Sequence, residues 1–403
     1  MPCTNVRRRL DVRDLVLAPG ERLVHIGPHK TGTTTLQGAF HQSREQLLAH
    51  GVVYAGESRQ AMRPALAVSG RKGLTLRQPE LSEWTEFAAD IAAAGDKRVA
   101  VSSEFFADAD DDAIRRVVED LGGSRVQIVV TLRPLTKIVA SQWQQYVQSG
   151  LRMRYDQWLN RMFKKPPYRS PTPSFWRRHR HDRLVERWAA AAGIDNVTVV
   201  VPDESDLMML TRTFESMLAL PAGVLAPESE RTNRSLTAGE IELVRQLNQE
   251  FRLREWPEGI YTRFLRMGVV QEMKAAHQPS PKEPRIVTPG WAIEQAAGIG
   301  AEMAEKIKAF GVQIVGDIDT LGVRPAGLED LPAKSGRVNS VSVASAVQAA
   351  LGAIVASGAT DPAEPENVEH REIREADAKT LAQVLVRRAR RRARRTIRRR
   401  IAR

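Results

Sequence analysis

Short, nearly continuous apolar runs recur through the first half of the chain: Leu23, Val24 and Ile26; Val99–Val101 after Arg98; Val126–Leu132; and Val197–Val201. Runs that are apolar on both faces, rather than alternating, predict strands buried in the middle of a parallel sheet. Between them the apolar positions switch to helical spacing. Leu36, Ala39 and Phe40 share one face, with Leu47 and Leu48 further on. Trp84, Phe87, Ile91 and Ala94 mark a helix over 81–94, and Ile114, Val117, Val118 and Leu121 another over 109–122, ended by Gly122-Gly123. Further helices are predicted over 135–148, 184–192, 205–219, 236–254 and 291–310, and Val312–Val315 predicts a last strand. Strands alternating with helices in this way indicate an α/β fold, a doubly wound parallel sheet.

Other stretches set the expected domain limits. Residues 1–20 read as an arm ended by Pro19-Gly20, and 21–331 as the α/β domain, with Gly51-Val52-Val53-Tyr54 closing its first helical unit. Residues 57–80, polar and punctuated by Gly and Pro, predict a loop or lid. The segment 151–180 is basic and aromatic, with four prolines between 166 and 173. It reads equally as a cover over a substrate and as a solvated connection. Residues 332–370 read as an Ala/Ser-rich helix and a Pro- and acid-rich linker, and 371–403 as an Arg-rich tail.

Composition narrows the class. A chain of 403 residues can bury a sizeable core, and its one cysteine, Cys3, excludes a disulfide framework and a zinc–cysteine cluster. That suits a cytoplasmic location. Arg7–Arg9 are followed by Leu10-Asp11-Val12-Arg13-Asp14, which is no apolar signal core. The net charge of +12 belongs almost wholly to residues 371–403, where 14 Lys and Arg face 3 Asp and Glu, a net +11. The longest uncharged run, Val338–Thr360, holds Asn339, Gln348 and many Ser and Ala, so it predicts a packed or surface helix rather than a membrane span.

The chemistry concentrates in Arg22–Phe40, RLVHIGPHKTGTTTLQGAF. A strand that stops at Gly27, a loop of small and hydroxylated residues, and a helix form the arrangement that binds a phosphate. Backbone N–H groups and the helix dipole converge there on an anion. Lys30 adds a full charge, and Thr31, Thr33, Thr34 and Thr35 add hydroxyl donors. The bland alternative is a turn rich in N-capping threonine. Gly27 and Gly32 have the separation of the G-x-x-x-x-G-K-[ST] triphosphate loop, but Thr33 stands where its Lys belongs and the only Lys lies at 30. PHKTGTT instead resembles the 5′-phosphosulfate loop of sulfotransferases that use 3′-phosphoadenosine 5′-phosphosulfate (PAPS).

A second motif fits the same family. Arg133 directly follows the third strand and Ser141 lies eight residues on, and LRPLTKIVAS resembles the family's 3′-phosphate motif. A guanidinium offers bidentate donors to a phosphate, and a hydroxyl in the next helix closes the other side. By itself an Arg at a strand end is more often a surface ion-pair partner. A triphosphatase would place a metal-holding Asp here, where Thr131-Leu132-Arg133 has none. Arg231-Thr232-Asn233-Arg234-Ser235-Leu236 and Gly311–Asp319 also resemble segments of bacterial members, so Arg231, Arg234 and Ser235 are candidates to close on the 3′-phosphate. For these, a capping Ser235 and solvated arginines are an equal alternative. The resemblance spans about 21–330 and implies a sheet of P-loop type, with PAPS bound through Lys30, Thr31, Gly32, Thr33, Thr34, Arg133, Ser141, Arg234 and Ser235.

The implied reaction moves a sulfuryl group to a hydroxyl or amine of a small-molecule or glycan acceptor, with a carbohydrate or glycolipid as the expected class, and leaves adenosine 3′,5′-bisphosphate. Lys30 is the candidate for the charge on the leaving oxygen, and Glu104, ending the second strand, for the base. His29 is the rival base, drawn toward neutrality by Lys30. No His, Cys and carboxylate set has metal-ligand spacing, and no metal ion is expected. In the tail, Leu381, Leu385, Ala389, Ala393, Ile397 and Ile401 recur every four residues among arginines. A basic helix so striped suits an anionic membrane surface, giving a peripheral position, or another polyanion, with nucleic acid ranked below and a solubilising tail as the plain alternative. The alternatives for the whole chain are a P-loop kinase and a non-catalytic membrane- or nucleic-acid-binding protein driven by this tail.

Overall fold

The computed structural model describes residues 15–71, 78–164, 171–226, 234–327, 331–332, 334–336 and 338–358. The Arg-rich tail, the Pro- and acid-rich linker and Arg231 lie outside these described residues. Six parallel strands form one sheet: β1 (Arg22–Ile26), β2 (Val52–Tyr54), β3 (Arg98–Ser102), β4 (Val126–Thr131), β5 (Val197–Val201) and β6 (Gln313–Gly316), in the order β2-β3-β1-β4-β5-β6. The predicted strands are all present. The edge strand β2 is an addition, three residues long, where the sequence suggested only the close of a helical unit.

Side chains alternate between the two faces of the sheet, and each face carries its own helices. Val24, Ile26, Val101, Ile128, Val130 and Val199 pack with α4 (Leu81–Ala92), α5 (Asp111–Asp120) and α9 (His181–Ala192), whose Trp84, Val117 and Trp188 are fully or almost fully buried. Leu23, Ala100, Val129 and Val200 pack on the other face with α1 (Thr33–Gln42), α2 (Arg44–Ala49) and α10 (Met209–Met217), through Phe40, Leu47 and Phe214. This is the three-layer doubly wound fold the alternation predicts. The supposed loop at 57–80 contains α3 (Met62–Val68), which buries Ala65 and Leu66. The arm, too, is packed at its end: the Leu17 amide donates to the Met217 carbonyl, and Arg98 Nε to the Leu17 carbonyl.

A second core lies beyond the sheet. It joins α6 (Leu135–Gln148), α7 (Tyr155–Leu159) with the π-helical turn after it (Asn160–Lys164), and α8 (Ser174–His179). It continues through α11 (Ala238–Leu253) and, past the short α12 (Glu258–Ile260) that buries nothing, through a π-helix over Tyr261–Val269, α13 (Val270–Ala276), α14 (Gly290–Phe310) and α15 (Val343–Ser357). Trp158 and Phe175 of the basic-aromatic segment are fully buried there, so those aromatics build core rather than a solvated connection. The helices of 258–276 are absent from the sequence expectation. The helix α15 crosses this stretch at paired glycines, where a Cβ on Gly352 would stand 2.6 Å from the Gly268 carbonyl oxygen. Among the described residues no helix is long and apolar enough to cross a membrane.

Candidate functional site

The chain leaves β1 toward β2 on one side, and leaves β4 toward β5 on the other. The crevice of such a sheet lies at the carboxyl ends where these directions part. Here the loop 27–32 turns into α1. Gly27 is required: a Cβ would stand 2.0 Å from Thr33 Cγ2 and 2.8 Å from Thr131 Oγ1. Lys30 adopts φ 75°, a left-handed conformation uncommon for a side-chain-bearing residue, and Gly32 follows at φ 93°. Gly32 is the N-cap of α1 and offers no side-chain acceptor, so the first N–H groups of the helix lack a capping oxygen. Thr31, by contrast, is buried. Its hydroxyl donates to the Pro28 carbonyl at 2.8 Å and lies 3.1 Å from Thr131 Oγ1, which locks the loop to β4. Thr33 is buried and Thr34 exposed at the helix start.

Beneath the loop, His25 joins three strands. Its Nδ1 lies 2.8 Å from Ser102 Oγ of β3 and its Nε2 3.0 Å from Thr131 Oγ1 of β4. Burial pushes its pKa down to about 3, so the ring is neutral and serves as a strut. Gln37 of α1 then reaches from Ser102 Oγ (3.2 Å) to Glu104 Oε2 (3.1 Å), and Gln60 donates to Glu104 Oε1 at 3.3 Å. Glu104 opens the turn after β3, and two amides therefore aim its carboxylate.

His29 lies beside Glu104, with His29 Nδ1 4.0 Å from Glu104 Oε1 and 3.4 Å from the Gln145 amide of α6. His29 is 6% exposed, its Nε2 is buried with no hydrogen-bond partner, and its ring meets Phe105 edge-on. Its pKa is held well below the ordinary value first by burial, then by Arg178, His179 and Lys30. The expected direction holds, with desolvation rather than Lys30 as its chief cause. Lys30 reaches solvent at the cleft mouth, yet the cleft walls lower its pKa while the Glu104 carboxylate raises it. Arg178, paired with Asp108 through 2.8 and 2.5 Å contacts, closes the wall behind Glu104.

The second motif follows β4, the neighbour of β1 in the sheet. Arg133 leaves β4 and makes Nε and Nη2 contacts of 3.0 and 2.7 Å to Glu204, which follows β5 and is pulled below the usual carboxylate range by that guanidinium. Ser141, on α6, donates to the Ile138 carbonyl at 2.9 Å. Arg234 is held differently. It forks onto the buried Glu240 at 2.8 and 2.8 Å, and donates to the His277 and Met273 carbonyls. Its donors are spent on the fold. Ser235 is exposed and is not the helix cap: Thr237 caps α11, in a reciprocal box with Glu240.

Lys274 of α13 was not foreseen. Its pKa is pushed down to about 8, by burial first and then by the like charges of Lys30 and Arg234. No local signal in KAAH marks it, because a distant helix delivers it. Among the described residues no group of His, Cys and carboxylates could hold a metal ion.

No family model matches the chain, and no curated protein matches it closely enough to count as a relative. Among solved structures the chain is similar to a sulfotransferase from Alicyclobacillus acidocaldarius. That match has 14% identity and a TM-score of 0.38, and covers 62% of this chain and 96% of the other.

Proposed function

We propose that this protein is a sulfotransferase that transfers a sulfuryl group from PAPS to a hydroxyl or amine of a small-molecule or glycan acceptor. One observation carries the reading: an uncapped helix N-terminus with Lys30 above it lies in the same cleft as a half-buried, amide-aimed carboxylate, Glu104. The first half binds an anion and the second takes a proton. The fit to PAPS is good at the α1 terminus, where unpartnered N–H groups suit the 5′-phosphate. It is good also at Arg133, whose exposed pair with Glu204 is weak enough to exchange for a phosphate. Arg234 fits less well, since release from Glu240 would leave a buried carboxylate unpaired.

PAPS, when bound, supplies the activated sulfuryl group. Lys30 then stabilises the charge that grows on the departing 5′-phosphate oxygen. Glu104 accepts the acceptor's proton at a carboxylate oxygen, while Gln37 and Gln60 fix its orientation. Neutral His29 fills the adjacent volume and keeps water from it. For the tail we propose attachment to an anionic membrane surface, on composition alone; sedimentation with anionic but not neutral vesicles, lost on removing 371–403, is the expected behaviour.

The test of the main reading is a thermal-shift titration with adenosine 3′,5′-bisphosphate, against ADP and ATP with Mg²⁺. Ligand at about 100 times its Kd stabilises by about 2.7 kcal/mol, an easily read shift. A shift with the bisphosphate alone supports the sulfotransferase. A shift with ATP–Mg²⁺ instead makes the chain a kinase, and silence from all three makes the body a scaffold.

A further inference from the structure

Two hollows adjoin on the helical lobe, beyond the cleft just described. The first, about 650 Å³, is lined among others by Tyr146, Arg152, Gln157, Thr172 and Ser174. The second, about 390 Å³, is lined by Arg252, Trp256, Glu258, Tyr261 and Arg266 among others. Ser149 and Gly150 line both, so they form the ridge between. These are volumes typical of ligand sites.

The ridge is built, not loose. Asn248 Nδ2 donates to the carbonyls of Val147 (2.7 Å) and Leu151 (2.9 Å), and the Tyr261 hydroxyl donates to Asn248 Oδ1 at 2.9 Å. At the far end Glu255 takes φ 52°, turning the chain so that Trp256 packs edge-on to Phe251 at 4.8 Å and still leaves 47% of its surface to solvent. At the near end the walls lead to the cleft. Tyr146 contacts Ser174 at 3.0 Å, and Gln145 beside it reaches His29. The helix that Ser174 begins, α8, clamps the Glu104–Asp108 turn through Arg178.

We propose that these hollows are consecutive subsites of one groove that binds a linear carbohydrate chain. Hydroxyl, amide and guanidinium groups suit the first subsite to a hydroxyl-rich ring, since each can exchange hydrogen bonds with sugar hydroxyls. Arg152 is exposed and makes no ion pair among the described residues. In the second, Trp256 has Phe251 perpendicular to it and the Arg254 guanidinium 5.5 Å from its ring centroid, and the exposed half of the indole offers apolar surface to the C–H face of a pyranose. The pair of hollows, rather than either alone, selects a chain over a single sugar. This deepens the proposed function and rests on it for the claim that the chain is the acceptor. The groove itself does not.

Titration calorimetry on the full-length protein tests it, with disaccharides and hexasaccharides of hyaluronan (acidic) and of cellulose (neutral). At least one hexasaccharide should bind about ten-fold tighter than its disaccharide, because the second subsite adds its binding to an already tethered chain. Trp256→Ala should remove that length gain and leave disaccharide binding unchanged. Arg152→Ala, at another exposed position, should weaken both lengths. Affinity independent of length, no binding by either hexasaccharide, or a length gain that survives Trp256→Ala would overturn the groove. Adenosine 3′,5′-bisphosphate titrated into the same samples separates the two ideas. If it binds while no hexasaccharide does, the groove alone falls; if the hexasaccharides bind with the length gain and it does not, the groove stands and the transferase reading falls.

Discussion

His181 opens α9 fully buried, with neither ring nitrogen hydrogen-bonded, and burial pushes its pKa down to about 4. Unfolded, the same imidazole titrates near 6.5. Between these values the unfolded chain binds a proton that the folded chain refuses, so stability rises with pH through this window and falls as the solution is acidified. The slope is about 1.4 kcal/mol per pH unit for one group, or about 2 kcal/mol between pH 6.5 and 5. His25, His29 and His179 are buried with lowered pKa values as well, and act in the same direction. Four such groups together are comparable with the whole stability of an ordinary domain, about 5–15 kcal/mol. His181→Leu removes one titration and breaks no side-chain hydrogen bond. Urea unfolding at half-unit steps from pH 5 to 7.5 should show the variant losing about one proton's worth of slope, and gaining on the wild type by about 2 kcal/mol at pH 5. Parallel curves for the two proteins would refute the claim that buried, neutral imidazole controls the acid limit.

Other consequences are equally direct. Glu104→Gln keeps the shape that Gln37 and Gln60 grip but cannot take a proton, so transfer should fall about 10²–10⁴-fold with bisphosphate affinity intact in calorimetry. Lys274, depressed to about 8, loses its charge as pH rises through that value. Bisphosphate affinity measured from pH 7 to 9 should weaken across it, and Lys274→Met should flatten the profile. Gly352→Ala places a Cβ 2.6 Å from the Gly268 carbonyl oxygen, which should cost about 1–3 kcal/mol in urea unfolding while leaving bisphosphate binding unchanged.

What the sequence made legible was local. The central strands showed because a strand buried on both faces must be apolar throughout, as Val126–Leu132 and Val197–Val201 are. The loop 27–35 showed because its glycines, lysine and hydroxyls are consecutive. By contrast β2 is too short to declare itself, α3 carries Pro64 inside an otherwise polar stretch, and the π-helix at 261–269 breaks the helical period that pattern reading relies on. The His25–Ser102–Thr131 strut was invisible for another reason: strand register alone brings those three residues together. Arg234 shows the converse. Its position in the Asn233-Arg234-Ser235-Leu236 segment suggests a ligand contact, yet the Glu240 carboxylate, itself held down to about 2 against its own burial chiefly by Arg234, occupies it.

The central claim is that one nucleotide spans the Lys30 loop and Arg133. Calorimetric titration of adenosine 3′,5′-bisphosphate and adenosine 5′-monophosphate into wild type and Arg133→Ala tests it most directly, because the ligands differ only in the 3′-phosphate. The wild type should prefer the bisphosphate by about ten-fold or more, a charge-assisted contact's worth, and Arg133→Ala should erase the preference and leave the monophosphate affinity as it was. Equal affinities in the wild type, or a preference that survives without Arg133, would contradict the account.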